Sequence, residues 1–356
     1  MRSLPIRIVL LLAVLAGAFA GCTRKTPLPT DVQAPAVQTP KPMLAMSPAT
    51  AEEMDHVAPA ARRYKIALVV KTRNNPFFEP MIREAEAEAE RLGVDLEVQA
   101  PPQETDKERQ FDMVRDLAAR GVDAILITPA DSKGIVPALK FAQERGVLVI
   151  NVDNRVDPET ARLAGLQLGG FVSADNEAGG RLAGERMMAY LEGAGYVAIL
   201  EGIRGADNAE ARKRGFESAV AGSLEIVASD TAEWDTQKAY AKFQSILAAH
   251  PELQGVFAAN DKMALGAIQA IREARRRDEI IVIGYDNIPD VRPHLESGAM
   301  DATIEQHPDR MGKYSVSLAV AVLEGKMPKG RELMVPLEAI GRATDDELEF
   351  AGAPAR

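Results

Sequence analysis

From residue 63 onward, apolar residues gather in short β-branched runs separated by longer stretches in which they recur at helical spacing. The runs predict strands over 66–70, 94–99, 124–128, 148–152, 168–172, 196–201, 225–229, 255–258, 280–285 and 302–305. The stretches between them predict helices over 80–92, 106–120, 134–144, 177–193, 209–221, 236–249, 262–275, 291–298 and 308–324. Runs such as Leu148-Val149-Ile150 are apolar on both faces, as strands of a parallel sheet covered by helices must be. Strands alternating with helices imply the α/β class with right-handed crossovers. Single cores stop growing near roughly 250 residues, so two parallel sheets are expected rather than one of ten strands. The first passage between them should follow the connection 154–166, with 169–176 as the crossing segment leading into a helix that Asp175 or Asn176 caps.

The first 22 residues depart from this pattern. Arg2 and Arg7 precede an apolar run over 8–19 and then small residues, the order of an export signal. Ala18-Phe19-Ala20 suits an ordinary signal peptidase, whereas Ala20-Gly21-Cys22 resembles a bacterial lipobox, in which the cysteine is lipidated. Cys22 is the only cysteine, so it has no intramolecular disulfide partner, and an exported free thiol would be reactive; the lipid anchor is the preferred reading. Residues 23–62 are rich in Pro, Ala, Thr and Met without strand or helical period, which predicts a flexible tether.

Composition narrows the function. A formal net charge of -10 disfavours nucleic acid as a partner, since phosphate binding requires clustered basic surface. His56, His250, His294 and His307 lack metal-ligand spacing, and no Ser, Cys or His stands in a triad order, so neither metal nor cofactor is expected. A glycoside hydrolase using Asp153 and Asp286 is the enzymatic alternative.

The candidate chemistry lies at strand ends, where open α/β sheets bind ligands. After the first strand, Lys71 and Asn75 offer directional hydrogen bonds while Phe77 and Phe78 offer ring faces, the pair of features that a sugar's hydroxyl edges and C–H faces require. Asp153 ends a buried-type strand and could take two adjacent hydroxyls. Arg212 sits near a helix start, where the macrodipole opposes it and a facing carboxylate or ligand hydroxyl would explain it. Trp234, the sole tryptophan, falls in a loop and is assigned to stacking, with Asp235 capping the next helix. Asn260, Asp286 and Gln306 repeat the device at later strand ends.

Taken together, these segments resemble the type I periplasmic sugar-binding proteins of the ribose-binding group, and most of all the D-allose binders. The matching residues are Val70-Lys71-Thr72, Asn74-Asn75-Pro76-Phe77-Phe78, Asn151-Val152-Asp153, Glu210-Ala211-Arg212, Ala232-Glu233-Trp234-Asp235, Ala259-Asn260-Asp261-Lys262-Met263-Ala264, Asp286-Asn287-Ile288-Pro289 and Gln306-His307-Pro308. The resemblance implies two Rossmann-like lobes joined by a three-crossover hinge: 63–173 with 306–332, and 174–305 with 333–345, leaving 346–356 as a tail. It implies a site of Lys71, Asn75, Phe78, Asp153, Arg212, Trp234, Asn260, Asp286 and Gln306, to which Phe77 and Asn154 are added as neighbours. Lys71 stands where allose binders carry lysine and ribose binders serine; Phe78 stands where the allose binder has tryptophan. The expected function is capture of a monosaccharide or polyol by hinge closure at the extracytoplasmic face, by a monomer that serves an ABC permease and, as a second partner, a chemoreceptor. A sugar-sensing regulator of the same fold is disfavoured by the export signal and the lack of a helix-turn-helix head.

Overall fold

A computed structural model describes residues 48–342; the export segment, Cys22, residues 23–47 of the expected tether and the 346–356 tail lie outside the described residues. The chain runs α1 (Ala51–Asp55), β1 (Lys65–Val69), α2 (Phe78–Leu92), β2 (Asp95–Gln99), α3 (Lys107–Arg120), β3 (Ala124–Ile127), α4 (Val136–Glu144), β4 (Leu148–Val152), α5 (Pro158–Leu163) and β5 (Gly170–Ala174). It continues through α6 (Asn176–Tyr190), β6 (Gly195–Glu201), α7 (Asp207–Val220), β7 (Leu224–Thr231), α8 (Thr236–Ala249), β8 (Gly255–Ala258), α9 (Asp261–Glu273) and β9 (Ile281–Ile283). It closes with α10 (Arg292–Glu296), β10 (Ala302–Glu305), α11 (Pro308–Leu323), β11 (Arg331–Val335) and β12 (Glu338–Gly341).

Two six-stranded sheets result, ordered β11-β5-β4-β3-β1-β2 and β12-β10-β9-β8-β6-β7. Every pairing is parallel except that of β12 with β10. In each sheet the strand order reverses beside the first strand, β1 or β6, which opens a crevice at the carboxyl ends where ligands bind. Helices cover both faces, so the central strands β3, β4 and β8 are buried throughout. The α/β two-lobe class expected from periodicity is the class observed.

Three boundaries differ from expectation. Residues 48–62 are not featureless: Thr50 and Glu53 form a reciprocal capping box on α1, Met54 is buried, and Ala49 N–H donates to Glu332 O at 2.8 Å. Glu53 pairs with Arg331 at 2.8 Å and Asp55 with Lys313 at 2.6 Å, partners far away in sequence that local periodicity could not reveal. The connection 154–166 contains α5, whose Asp157 caps it by accepting from Thr160 N–H. Finally, β11 and β12 are strands that the pattern missed, and β11 stays in the first sheet to Val335, so the last crossing falls at 336–337 rather than after 332.

The second lobe depends on close approach of α6 and α7. A Cβ on Gly180 would lie 2.0 Å from Arg212 O, and one on Gly215 would lie 2.0 Å from Glu177 O. The paired glycines let the two backbones touch, and this contact positions α7 and Arg212 with it. Gly180→Ala should therefore destabilise the fold by about 1–3 kcal/mol, the usual range for overpacking a tight contact. Urea unfolding checks this; an unchanged midpoint would show that the helices can separate without penalty.

Candidate functional site

The carboxyl ends of the two sheets face each other across a small cavity lined by Lys71, Asn75, Phe77, Phe78, Glu104, Asp153, Asn208, Arg212, Trp234, Asn260, Asp286 and Gln306. Ten of the eleven candidates read from the sequence, all but Asn154, are thus brought together. The first lobe supplies the end of β1 and its loop. Asn75 Oδ1 accepts the Phe77 N–H at 3.1 Å, a local turn that sets up α2, and its Nδ2 donates to Glu104 Oε1 at 2.9 Å. Phe77 and Phe78 meet edge to face with ring centroids 5.0 Å apart, and both are buried. They are core residues and cavity walls at once. Lys71 Nζ lies 3.6 Å from Asp153 Oδ2, with both side chains almost wholly buried, while Asp153 Oδ1 has no hydrogen-bond partner.

The second lobe is built on Arg212. Its Nε donates to Asn176 Oδ1 at 2.8 Å, Nη1 to Ala259 O at 2.8 Å and to Asp286 Oδ1 at 3.4 Å, and Nη2 to Gln306 Oε1 at 3.2 Å. Gln306 Nε2 closes the ring by donating to Asp286 Oδ1 at 2.7 Å. The guanidinium lies 3.7 Å from the Tyr285 ring centroid and 5.6 Å from that of Trp234. Helix α7 begins at Asp207, two residues before the expected start, which moves Arg212 into the second turn; the facing carboxylate is Asp286. Trp234 is buried against Gly202, where a Cβ would lie 2.0 Å from the indole, and its Nε1 has no partner. Asn260 caps α9 by accepting from Met263 N–H at 3.0 Å and also lines the cavity. Asp175 and Asp235 serve as the caps expected of them.

Comparison with known proteins places this geometry. Residues 66–327 match the periplasmic binding protein domain family. The chain belongs to the periplasmic binding protein family. It is 37% identical over 270 residues to a D-ribose/D-allose-binding protein of Pseudomonas aeruginosa, covering 74% of this chain and 84% of that one. It is 35% identical over 265 residues to the D-allose-binding periplasmic protein of Escherichia coli, covering 73% and 84%. Among solved structures, a periplasmic solute-binding protein of an ABC transporter from Actinobacillus succinogenes with bound D-allose superposes with a TM-score of 0.75 at 35% identity, covering 80% of this chain and all (100%) of that one. One from Agrobacterium vitis with bound D-fucose gives a TM-score of 0.73 at 27% identity, covering 79% and 97%. Family membership places the protein among binding proteins of the periplasm or extracytoplasmic face.

In this periplasmic binding protein Asn154 is the candidate that does not line the cavity. Its amide donates to Pro129 O at 2.7 Å and to Ser132 Oγ at 3.3 Å, and its Oδ1 accepts the Asn208 N–H of the other lobe at 3.0 Å. Ser132 Oγ likewise accepts the Asp207 N–H at 3.1 Å. The first N–H groups of α7, which no intrahelical carbonyl can satisfy, are thus held by the first lobe. Glu104 and Asn208 line the cavity and were not read from the sequence, because neither follows a strand end with a recognisable motif. Arg155, the other residue at that strand end, pairs instead with Glu332 at 2.7 Å.

Three cavity residues have positive φ without being glycine: Asp153 (59°), Trp234 (63°) and Asp286 (111°). Such backbone persists only where surrounding contacts hold it. For Asp286 the support is Asp261, fully buried at the start of α9, whose Oδ2 accepts the Ile288 N–H at 2.9 Å and whose Oδ1 accepts from Thr303 Oγ1 at 2.8 Å. Burial raises the Asp261 pKa to about 7, against the pull of those hydrogen bonds. The folded protein therefore keeps a proton there that the unfolded chain releases above the ordinary carboxyl value of 3.8. This contribution to stability is full below that value and is lost as pH rises through about 7. The stability of wild type relative to Asp261→Asn should fall by on the order of 3 kcal/mol between acid and neutral pH. Denaturant titrations of both proteins across that range test it, and a constant difference would contradict it.

Proposed function

We propose that the protein captures a single monosaccharide or polyol between its lobes and delivers it to an ABC permease, acting as a receptor and not as an enzyme. One observation carries the reading: Asp153 Oδ1 and Trp234 Nε1, both buried and without partners, border a cavity that also offers two phenyl faces and a buried guanidinium. A polyhydroxylated ring supplies hydroxyl donors to the first, acceptors to the second and C–H faces to the rings. The D-ribose and D-allose named for its relatives support the class, and Lys71 favours a hexose of the allose kind. Closure follows from two lobes sharing the site: a ligand contacting both stabilises the closed form, the form a permease would recognise.

Isothermal titration with D-allose and D-ribose tests the site. Asp153→Ala and Arg212→Ala should each weaken binding by roughly 2–5 kcal/mol, since each strands buried polar partners. Trp234→Ala should weaken it as well, while Trp234→Phe keeps much of the affinity because the ring face persists. Near wild-type affinity in both charge variants would place the site elsewhere. Turnover of a glycoside by wild type, abolished in Asp153→Asn, would replace the receptor with a hydrolase.

The finer localisation is a lipid anchor at Cys22, with the protein monomeric and tethered. Support comes from the lipobox-like Ala20-Gly21-Cys22 and from the lack of any other thiol. Cys22→Ser should move the protein from the membrane to the soluble fraction, as the acyl chains supply the membrane affinity. Retention of the variant in membranes would remove the lipid reading.

A further inference from the structure

The ionisable groups that line the cavity do not balance. Two cations, Lys71 and Arg212, face three carboxylates, Glu104, Asp153 and Asp286. Asp153 has Lys71 at 3.6 Å and Asp286 has Arg212 at 3.4 Å. Among the described residues Glu104 has no cation within ion-pair distance, and its one hydrogen bond there comes from the neutral amide of Asn75. The charges that reach it are Lys71 and Lys262, which favour its ionised form, and Asp153, which opposes it.

Glu104 also borders an outer groove together with Lys107, Asp131, Arg204 and Glu233. The cations there are already engaged: Lys107 lies 3.5 Å from Asp131, and Arg204 lies 3.1 Å from Glu201. Glu233 is paired with Lys238. None of them compensates Glu104. Part of the residue remains accessible along the groove, yet the protein packed around its carboxyl pushes its pKa up, desolvation outweighing the Lys71, Asn75 and Lys262 contributions. Burial pushes Asp286 up as well, with the Arg212 charge opposing it, but Asp286 accepts from both Arg212 and Gln306, whereas Glu104 has the Asn75 amide alone.

Resting on the sugar-receptor reading, we propose that Glu104 is a ligand-contacting residue that takes up a proton from solvent as the cleft closes over a neutral sugar. A neutral ligand brings no charge to offset the third carboxylate, and burying an unpaired anion is far more costly than burying the acid. The geometry also assigns the proton its place. Oε1 accepts from Asn75 Nδ2, so the proton belongs on Oε2, where the O–H donates to a ring or hydroxyl oxygen of the sugar. Glu104 thereby adds a donor to the Lys71 end of the cleft and links affinity to pH.

Titration calorimetry of the full protein with D-allose and D-ribose, in two buffers of different ionisation enthalpy, tests this. Wild type should show buffer-dependent heats corresponding to proton uptake, and its affinity should fall at least roughly tenfold between about pH 5.5 and pH 8.5. Glu104→Gln, which imitates the protonated acid, should bind with little pH dependence and more tightly than wild type at the alkaline end. A thermal melt confirms that the variant is folded, and the wild-type heats require no variant at all. Binding without proton uptake in wild type overturns the proposal, as does uptake that survives Glu104→Gln, which would transfer the proton to Asp286. Absence of binding to either sugar at every pH would instead overturn the receptor reading on which it rests.

Discussion

A guanidinium taken out of water must have its donors satisfied or the fold does not tolerate it. Arg212 is that group here, 3% exposed, with four of its five N–H donors engaged by Asn176, Ala259, Asp286 and Gln306. These partners come from the start of α6, the end of β8, the loop after β9 and the crossing after β10. One side chain therefore fixes four chain segments of the second lobe relative to one another. The requirement reaches further, since the Gly180 and Gly215 contact between α6 and α7 allows Arg212 to sit beside Asn176, and the flat Tyr285 ring lies against its cation.

The first lobe solves a smaller version of the same problem. Lys71 and Asp153 face each other between β1 and β4, and Asp153 is held in a left-handed backbone conformation that brings its second oxygen to the cavity unpaired. Strained backbone at Asp153, Trp234 and Asp286, together with the orphaned polar atoms, concentrates unfavourable energy at one place. The bonds from α7 to Asn154 and Ser132 join the two lobes in this structure. A ligand that pairs the orphaned atoms adds to what those two bonds supply, and the balance between open and closed shifts by that difference.

The sequence by itself determined the class of fold and most of the residues that line the cavity. Period-2 and continuous apolar runs separated by helical stretches specify strands and helices through local geometry, and ligands gather at strand ends because the topology of parallel sheets leaves the crevices there. Lys71, Asn75, Asp153, Arg212, Trp234, Asn260, Asp286 and Gln306 were legible for that reason, several polar or aromatic residues each following an apolar run. Phe77 and Phe78 were legible both as ring faces and as core residues, and packing gives them both places.

Tertiary structure alone decided the rest. Glu104 lies in the loop after β2 and Asn208 in the first turn of α7, and neither spacing nor motif says that they turn toward the same cavity. Asn154 sits one residue beyond Asp153, yet the left-handed turn at Asp153 sends its amide to Pro129, Ser132 and α7 instead of to the cavity. The short α1 and the strands β11 and β12 were missed for a shared physical reason. Charged residues interrupt the apolar run in each (Glu52 and Glu53, Arg331 and Glu332, Glu338), and each is held by partners distant along the chain, as when Glu332 in β11 takes Arg155 by its side chain and Ala49 by its backbone.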